Sequence, residues 1–220
     1  MRSLLRLALD TAFAPRALLL APAVPAGVVA LFVLTWGDGT GATAWPAWTF
    51  YDQARLVEIL ALLWALPWMA GRALPPRARA DEIRLSALTG AAPSRLLLAR
   101  GGAALLATTV TVLFPVPIAI LAQRMSGGSL ARVAADDAVL LGLACLASVA
   151  ALWIERRVAS PAAAWALGVA VLAALAGGLH GGLDSPAATA LAALALAATG
   201  LLALLRVADR EVALEGGEPA

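Results

Sequence analysis

Few side chains in this sequence can do chemistry, and those that can lie in or beside long apolar runs. Arg55 and Glu58 are three residues apart, so on a helix they share a face and can pair. Charges inside a membrane-length apolar run are functional candidates by default. The pair reads first as a structural one and second as a substrate contact. Asp136 and Asp137 open a further apolar run, where acids suit a helix N-terminus. Thr108 and Thr111 precede Pro115 and Pro117. A proline frees the carbonyl four residues earlier, here that of Thr111, and bends the helix axis. The two threonines can then bond back to nearby carbonyls or line a polar path.

The inventory is short beyond these residues. There is one histidine, His180, in the turn GGLHGGLDSP with Asp184, and one cysteine, Cys145, inside an apolar run. One histidine makes neither a metal site nor a serine–histidine relay, and one cysteine makes no internal disulfide. The chain has no lysine, so a phosphate-binding loop of the glycine–lysine type is excluded, and with it an ATPase on this chain. The residues imply no catalytic site, no metal and no cofactor. An intramembrane hydrolase or lipid transferase, the enzyme alternative, lacks its residues.

The elements that must position these groups are membrane spans. Of the 220 residues 62% are hydrophobic and 14% charged, and mean hydropathy is +0.87. Ordinary soluble domains are about 45–50% apolar and about 25% charged, so the excess places the chain among polytopic membrane proteins. A helix crosses the hydrocarbon core in about 20 residues. Six stretches meet that length: 17–36, 53–70, 101–123, 136–154, 161–179 and 187–205. Lipid leaves no backbone group unpaired and no alternating barrel pattern appears, so the fold class is an all-α membrane protein. In 1–16, Arg2, Arg6 and Asp10 recur every four residues, which suits an amphipathic helix in the membrane interface. The first apolar run is longer than the ~7–15-residue core of a signal peptide, so it reads as a span. Residues 161–179 carry small side chains at every fourth position: Ala162, Ala166, Ala170, Ala174 and Gly178. That stripe predicts close helix packing, within the chain in preference to a dimer seam.

Arginine placement sets orientation. Six spans put both termini on one side, together with Arg2, Arg6, Arg16, the six arginines of 72–100, Arg156, Arg157, Arg206 and Arg210. The other side has Arg124 and Arg132, with Arg55 just inside the second span. The positive-inside rule makes both termini cytoplasmic, including the tail 207–220, in a multi-pass protein of a prokaryotic inner or plasma membrane. Trp45, Trp48 and Tyr51 then fall in the first external loop, as interface anchors.

The longest charged interruption, 72–100, reads RALPPRARADEIRLSALTGAAPSRLLLAR. Asp81 can cap a short helix with Glu82 in its first turn. Gly90 suits the position just past its end, and Pro93-Ser94 restarts a helix into the third span. The bland reading is an ordinary basic interfacial loop. The sharper one is a surface presented to a partner.

The layout resembles the transmembrane subunit of an ABC exporter of the second, six-span type. The residues that carry the resemblance are Asp81-Glu82, Leu85, Leu88-Thr89-Gly90, Pro93-Ser94-Arg95 and Arg100. It implies that Asp81, Glu82, Arg84, Leu85, Leu88, Thr89 and Gly90 form a cytosolic coupling helix between the second and third spans. That helix would dock on separate ABC ATPase subunits, which hold the ATP and magnesium. It further implies a homodimer, or a heterodimer with a related permease, surrounded by membrane lipid. Nucleic acid is not among the implied partners. The turn 177–186 is too short for the re-entrant helix pair common before the family's last span, which argues against a large polymeric cargo. A loop of similar pattern occurs in the lipoprotein-release class of permease, but that class has a large external domain where this chain has about 16 residues. A scaffolding membrane protein without an ATPase is the alternative from another class.

Overall fold

The computed structural model describes residues 15–36, 49–72, 92–158, 160–182 and 185–215, with Leu88 and Gly90. Its elements are all helices: α1 (Pro15–Trp36), α2 (Phe50–Arg72), α3 (Pro93–Leu113), α4 (Val116–Met125), α5 (Leu130–Glu155), α6 (Pro161–Gly182) and α7 (Pro186–Glu215). Five stretches are long and apolar enough to cross a membrane: Phe50–Ala70, Pro93–Met125, Leu130–Glu155, Pro161–Leu179 and Pro186–Arg210. In α1 the apolar part among the described residues is the shorter Ala23–Thr35. The interfacial helix expected over 1–16, the turn residues His180 and Asp184, Trp45 and Trp48 fall wholly or in their side chains outside the described residues. So do Asp81, Glu82, Arg84, Leu85 and Thr89.

Local chemistry explains where the helices start and stop. At the head of α2, the Thr49 N–H and hydroxyl both donate to Asp52 Oδ2 (3.0 and 2.7 Å), and the Asp52 N–H returns a bond to Thr49 Oγ1 at 3.2 Å. This reciprocal cap satisfies donors that the first turn leaves over. Pro115 and Pro117 lack N–H groups and split the third span in two. The Phe114 N–H still reaches Val110 O at 3.0 Å, and the ladder resumes with Ile118 and Ala119 bonding to Pro115 O. Ser129 accepts from the Ala131 N–H and starts α5, after a turn in which Gly127 takes the left-handed φ of 69°.

One expectation changes here. Helix α5 begins at Leu130, so Asp136 and Asp137 lie nearly two turns inside it and are not first-turn acids. The helix expected to restart at Pro93-Ser94 does so as α3, and Arg100 is its eighth residue and buried.

Helix α5 is the hub, packing against α2, α3, α4, α6 and α7. Its tightest neighbour is α7, whose buried face runs Ala190, Ala193, Ala197, Leu204 and Ala208 at helical spacing. A Cβ placed on Gly142 would sit 3.0 Å from the Ala193 Cβ and 3.3 Å from the Ala190 carbonyl. Small residues bring two backbones together, which is how helices gain dispersion contact when lipid removes the hydrophobic drive. Helices α3 and α5 are further joined by a hydroxyl pair, Thr108 and Ser148, 2.9 Å apart.

The small-residue stripe on α6 turns out differently from its expected role. Ala162, Ala166, Ala170, Ala174 and Gly178 are all exposed. The buried face is Ala164, Gly168 and Leu172, two residues out of step. At 3.6 residues per turn that offset is close to half a turn, so the two stripes lie on opposite sides. Gly168 decides which one packs: a Cβ there would come within 2.9 Å of the Pro67 Cβ, a separation only glycine permits.

Candidate functional site

The polar groups of α2 and α5 meet near the N-terminal ends of both helices. Arg55 is 5% and Glu58 0% exposed, so these side chains do not reach for the membrane surface. The Arg55 guanidinium donates to Glu58 Oε2 at 2.5 Å, to an Asp137 oxygen on α5 and to the Val133 carbonyl. Its Nε donates to the Tyr51 hydroxyl at 2.8 Å, and that hydroxyl donates to Asp136 Oδ2 at 2.8 Å. One arginine and one tyrosine thus knit two carboxylates of α5 to α2. Next to them Arg132 pairs with Asp52 at 2.5 Å. The Tyr51 ring lies between the two guanidiniums, with centroid distances of 5.4 Å to Arg55 and 5.3 Å to Arg132.

Sequence reasoning found Arg55 and Glu58 but misplaced their neighbours. Tyr51, expected as an external interface anchor, is 1% exposed and serves as the central hydrogen-bond relay. Its first-turn position on α2 is fixed by the Thr49–Asp52 cap, and its own N–H donates to Ser126 Oγ at the end of α4. The spacing offered one usable signal: Tyr51, Arg55 and Glu58 recur at intervals of four and three, and so line one face.

A cavity of about 740 Å³ opens beside this cluster, between α2, α5, α6 and the start of α7. Its polar side carries Asp52, Arg55, Arg132 and Asp136. Leu56, Ile59 and Leu63 on α2 form an apolar wall and face Ala173, Ala176 and Gly177 on α6. The void has a simple cause. Helix α6 is pinned to α2 where Gly168 meets Pro67, and Trp165 there donates to the Trp64 carbonyl at 3.3 Å while its ring stands edge-on to that of Trp64. A turn or two further along, α6 presents residues too small to fill the gap, and a Cβ on Gly177 would meet nothing within 4 Å. Volumes of ~300–1,000 Å³ suit small-molecule ligands.

The remaining candidates from the sequence lie elsewhere. Thr108 and Thr111 are fully buried and bond back to Ala104 O and Ala107 O at 3.0 and 2.8 Å. They take the first of their two expected roles and do not border the cavity. Pro115 sits at the α3–α4 break, also away from it. Cys145 is half-buried among apolar neighbours. Leu88 is helical and 83% exposed, and Gly90 has a φ of 64°. Among the described residues no three histidine, cysteine or acidic side chains group closely enough to hold a metal ion.

What the arrangement can do is bind. It offers an apolar volume with a charged, hydrogen-bonded end, and it brings no nucleophile–base pair together. No protein-family model matches the chain, and neither the curated proteins nor the solved structures give a match. The helical bundle defines a multi-pass membrane protein, and its geometry is the ground for a functional reading.

Proposed function

We propose that this chain is the membrane-spanning permease subunit of an ATP-driven transporter, an exporter working with separate ATPase subunits. The observation that carries the transport reading is the 740 Å³ cavity with a charged end that includes the buried Arg55, between membrane-length helices. Intramembrane charges of this kind mark substrate paths. In this reading α1 is the sixth span, both termini are cytoplasmic, and the protein lies in a prokaryotic cell membrane. Two permease chains, identical or related, form the working unit. ATP-driven closure of the partners pushes on the helix over 81–89 and rocks the bundle between inward- and outward-open arrangements.

The coupling part rests on the sequence of 81–90. Its acidic start and glycine stop suit a short helix presented to a partner, and the left-handed φ of Gly90 suits a residue that closes one. Leu88 stands clear of the bundle, as a docking side chain must. The test is co-expression with candidate ABC ATPase subunits. Permease and ATPase should co-purify, and Glu82→Arg combined with Leu88→Asp should abolish both complex formation and nucleotide-dependent change. Retention of both in that double variant would remove the docking assignment.

A further inference from the structure

The charges of the polar cluster beside the cavity do not balance, and the imbalance points to a ligand. Four charged side chains line the cavity's polar end, Asp52 and Arg55 from α2 and Arg132 and Asp136 from α5, and two more acids, Glu58 and Asp137, stand behind them on Arg55. Asp52 is neutralised by Arg132, and Arg55 is shared between Glu58 and Asp137. Asp136 lines the cavity, and its carboxylate accepts from the neutral Tyr51 hydroxyl; among the described residues it has no ion-pair partner. The deficit extends behind it, because Glu58 Oε1 is fully buried and lacks any hydrogen-bond partner. The cluster as a whole thus sets four carboxylates against two guanidiniums, at one end of membrane-length helices. Carboxylates there are costly without positive counter-charge.

We propose that the cavity binds an amphipathic organic cation, with the Asp136 carboxylate as counter-charge and the Leu56, Ile59 and Leu63 wall taking the hydrocarbon body. Each wall has a function in this scheme. The Tyr51 hydroxyl holds one oxygen of Asp136 and aims the carboxylate. Arg55 and Arg132 are occupied by their own acids and stacked on the Tyr51 ring, so they offer an anionic ligand little. An anion would also meet the surplus of acids, whereas a cation relieves it. A volume of about 740 Å³ holds a drug-sized molecule. The inference deepens the transport reading by naming the class of cargo, and it needs no ATPase for its test.

The experiment uses the full-length protein in lipid nanodiscs and two ions of the same shape and opposite charge, tetraphenylphosphonium and tetraphenylborate, in equilibrium binding. The wild type should bind the phosphonium saturably and the borate not at all. Asp136→Asn keeps an acceptor for Tyr51 and removes the charge, so it should weaken phosphonium binding about tenfold or more, the scale of one charge-assisted contact. Ala176→Trp, which fills the cavity from α6, should abolish saturable binding. If both ions bind and Asp136→Asn changes nothing, the cation assignment falls while the cavity remains a cargo site. If neither ion binds saturably, or Ala176→Trp binds as well as wild type, the proposal falls together with the cavity's role. ATPase docking is judged separately by the 81–90 variants.

Discussion

Arg55 on α2 grips the partly buried Asp137 carboxylate on α5 while holding the fully buried Glu58 on its own helix, so one guanidinium ties two helices through two acids. Buried ion pairs are asymmetric in their energetics. Removing one partner strands a charge, whereas replacing the whole group by apolar residues is often neutral or stabilising. Arg55→Met should therefore destabilise the bundle by about 3–5 kcal/mol. The triple variant Arg55→Met, Glu58→Met, Asp137→Asn should recover most of that loss. Reversible unfolding by sodium dodecyl sulfate, followed through tryptophan fluorescence, measures both. A triple variant as unstable as the single one would show that Arg55 acts through Tyr51 and Val133, not through its acids.

The glycines make a second, sharper test of packing. Gly142 and Gly168 sit where a neighbouring helix is within 3.0 Å of any added Cβ, while Gly177 faces open space. Overpacking a well-filled contact costs about 1–3 kcal/mol. Gly142→Val and Gly168→Val should each lose that much in the same unfolding assay. Gly177→Val should stay within about 0.5 kcal/mol of wild type, as substitutions away from packed contacts do. Equal losses at all three positions would mean that α6 lies closer to α2 than a cavity allows.

Thr108 and Ser148 carry the third prediction. Their hydroxyls are 2.9 Å apart in the α3–α5 contact, and each also bonds back to its own helix, at Ala104 O and Ala144 O. Inter-helix hydrogen bonds inside membranes average only about 0.6 kcal/mol in double-mutant cycles. The cycle Thr108→Val, Ser148→Ala should return a coupling energy of that order, because each hydroxyl keeps its intrahelical acceptor. A coupling well above the ~1.7 kcal/mol upper end of such measurements would mean the pair does more than pack.

Particular residues show why some of this was legible in the sequence and some was not. Span positions follow from hydrocarbon thickness, so α2 and α5–α7 fall over the runs that length and apolarity picked out. Arg55 and Glu58 stood out because a charge in such a run is costly wherever it points. Tyr51 did not, because its type suits an interface as well as a core, and only the placement of Asp136 one helix away separates the two. Asp136 and Asp137 were misplaced by a boundary error: Arg132 interrupts 130–135 (LARVAA), so the expected span begins at Asp136, yet Ser129 caps the helix six residues earlier. The packing stripe on α6 was misread because alanine saturates the helix. Periodicity marked two faces as equally smooth, and the partner residue Pro67 decided between them. The cavity was not legible at all, since a void is a property of two facing walls and no single run of sequence encodes it.

Orientation supplies the last test, and the single cysteine makes it practical. In a Cys145→Ser background, new cysteines at Arg124 and Arg157 report on opposite ends of the bundle. Both positions are exposed, Arg124 at the end of α4 and Arg157 just after α5. Arg157 does lose a contact, its guanidinium lying 5.5 Å from the Trp153 ring centroid, but an exposed pair of that kind is worth only ~0.5–1 kcal/mol. The arginine balance predicts Arg157 with the termini in the cytoplasm and Arg124 outside. A membrane-impermeant maleimide added to intact cells should label Arg124→Cys and spare Arg157→Cys, and inverted vesicles should reverse the pattern. The cavity lies at the Arg124 end of α5 and α6, so the same labelling decides which compartment it faces in this arrangement. If Arg157→Cys is labelled from outside instead, the 81–90 segment faces away from ATP, and an ATPase partner on that side is ruled out.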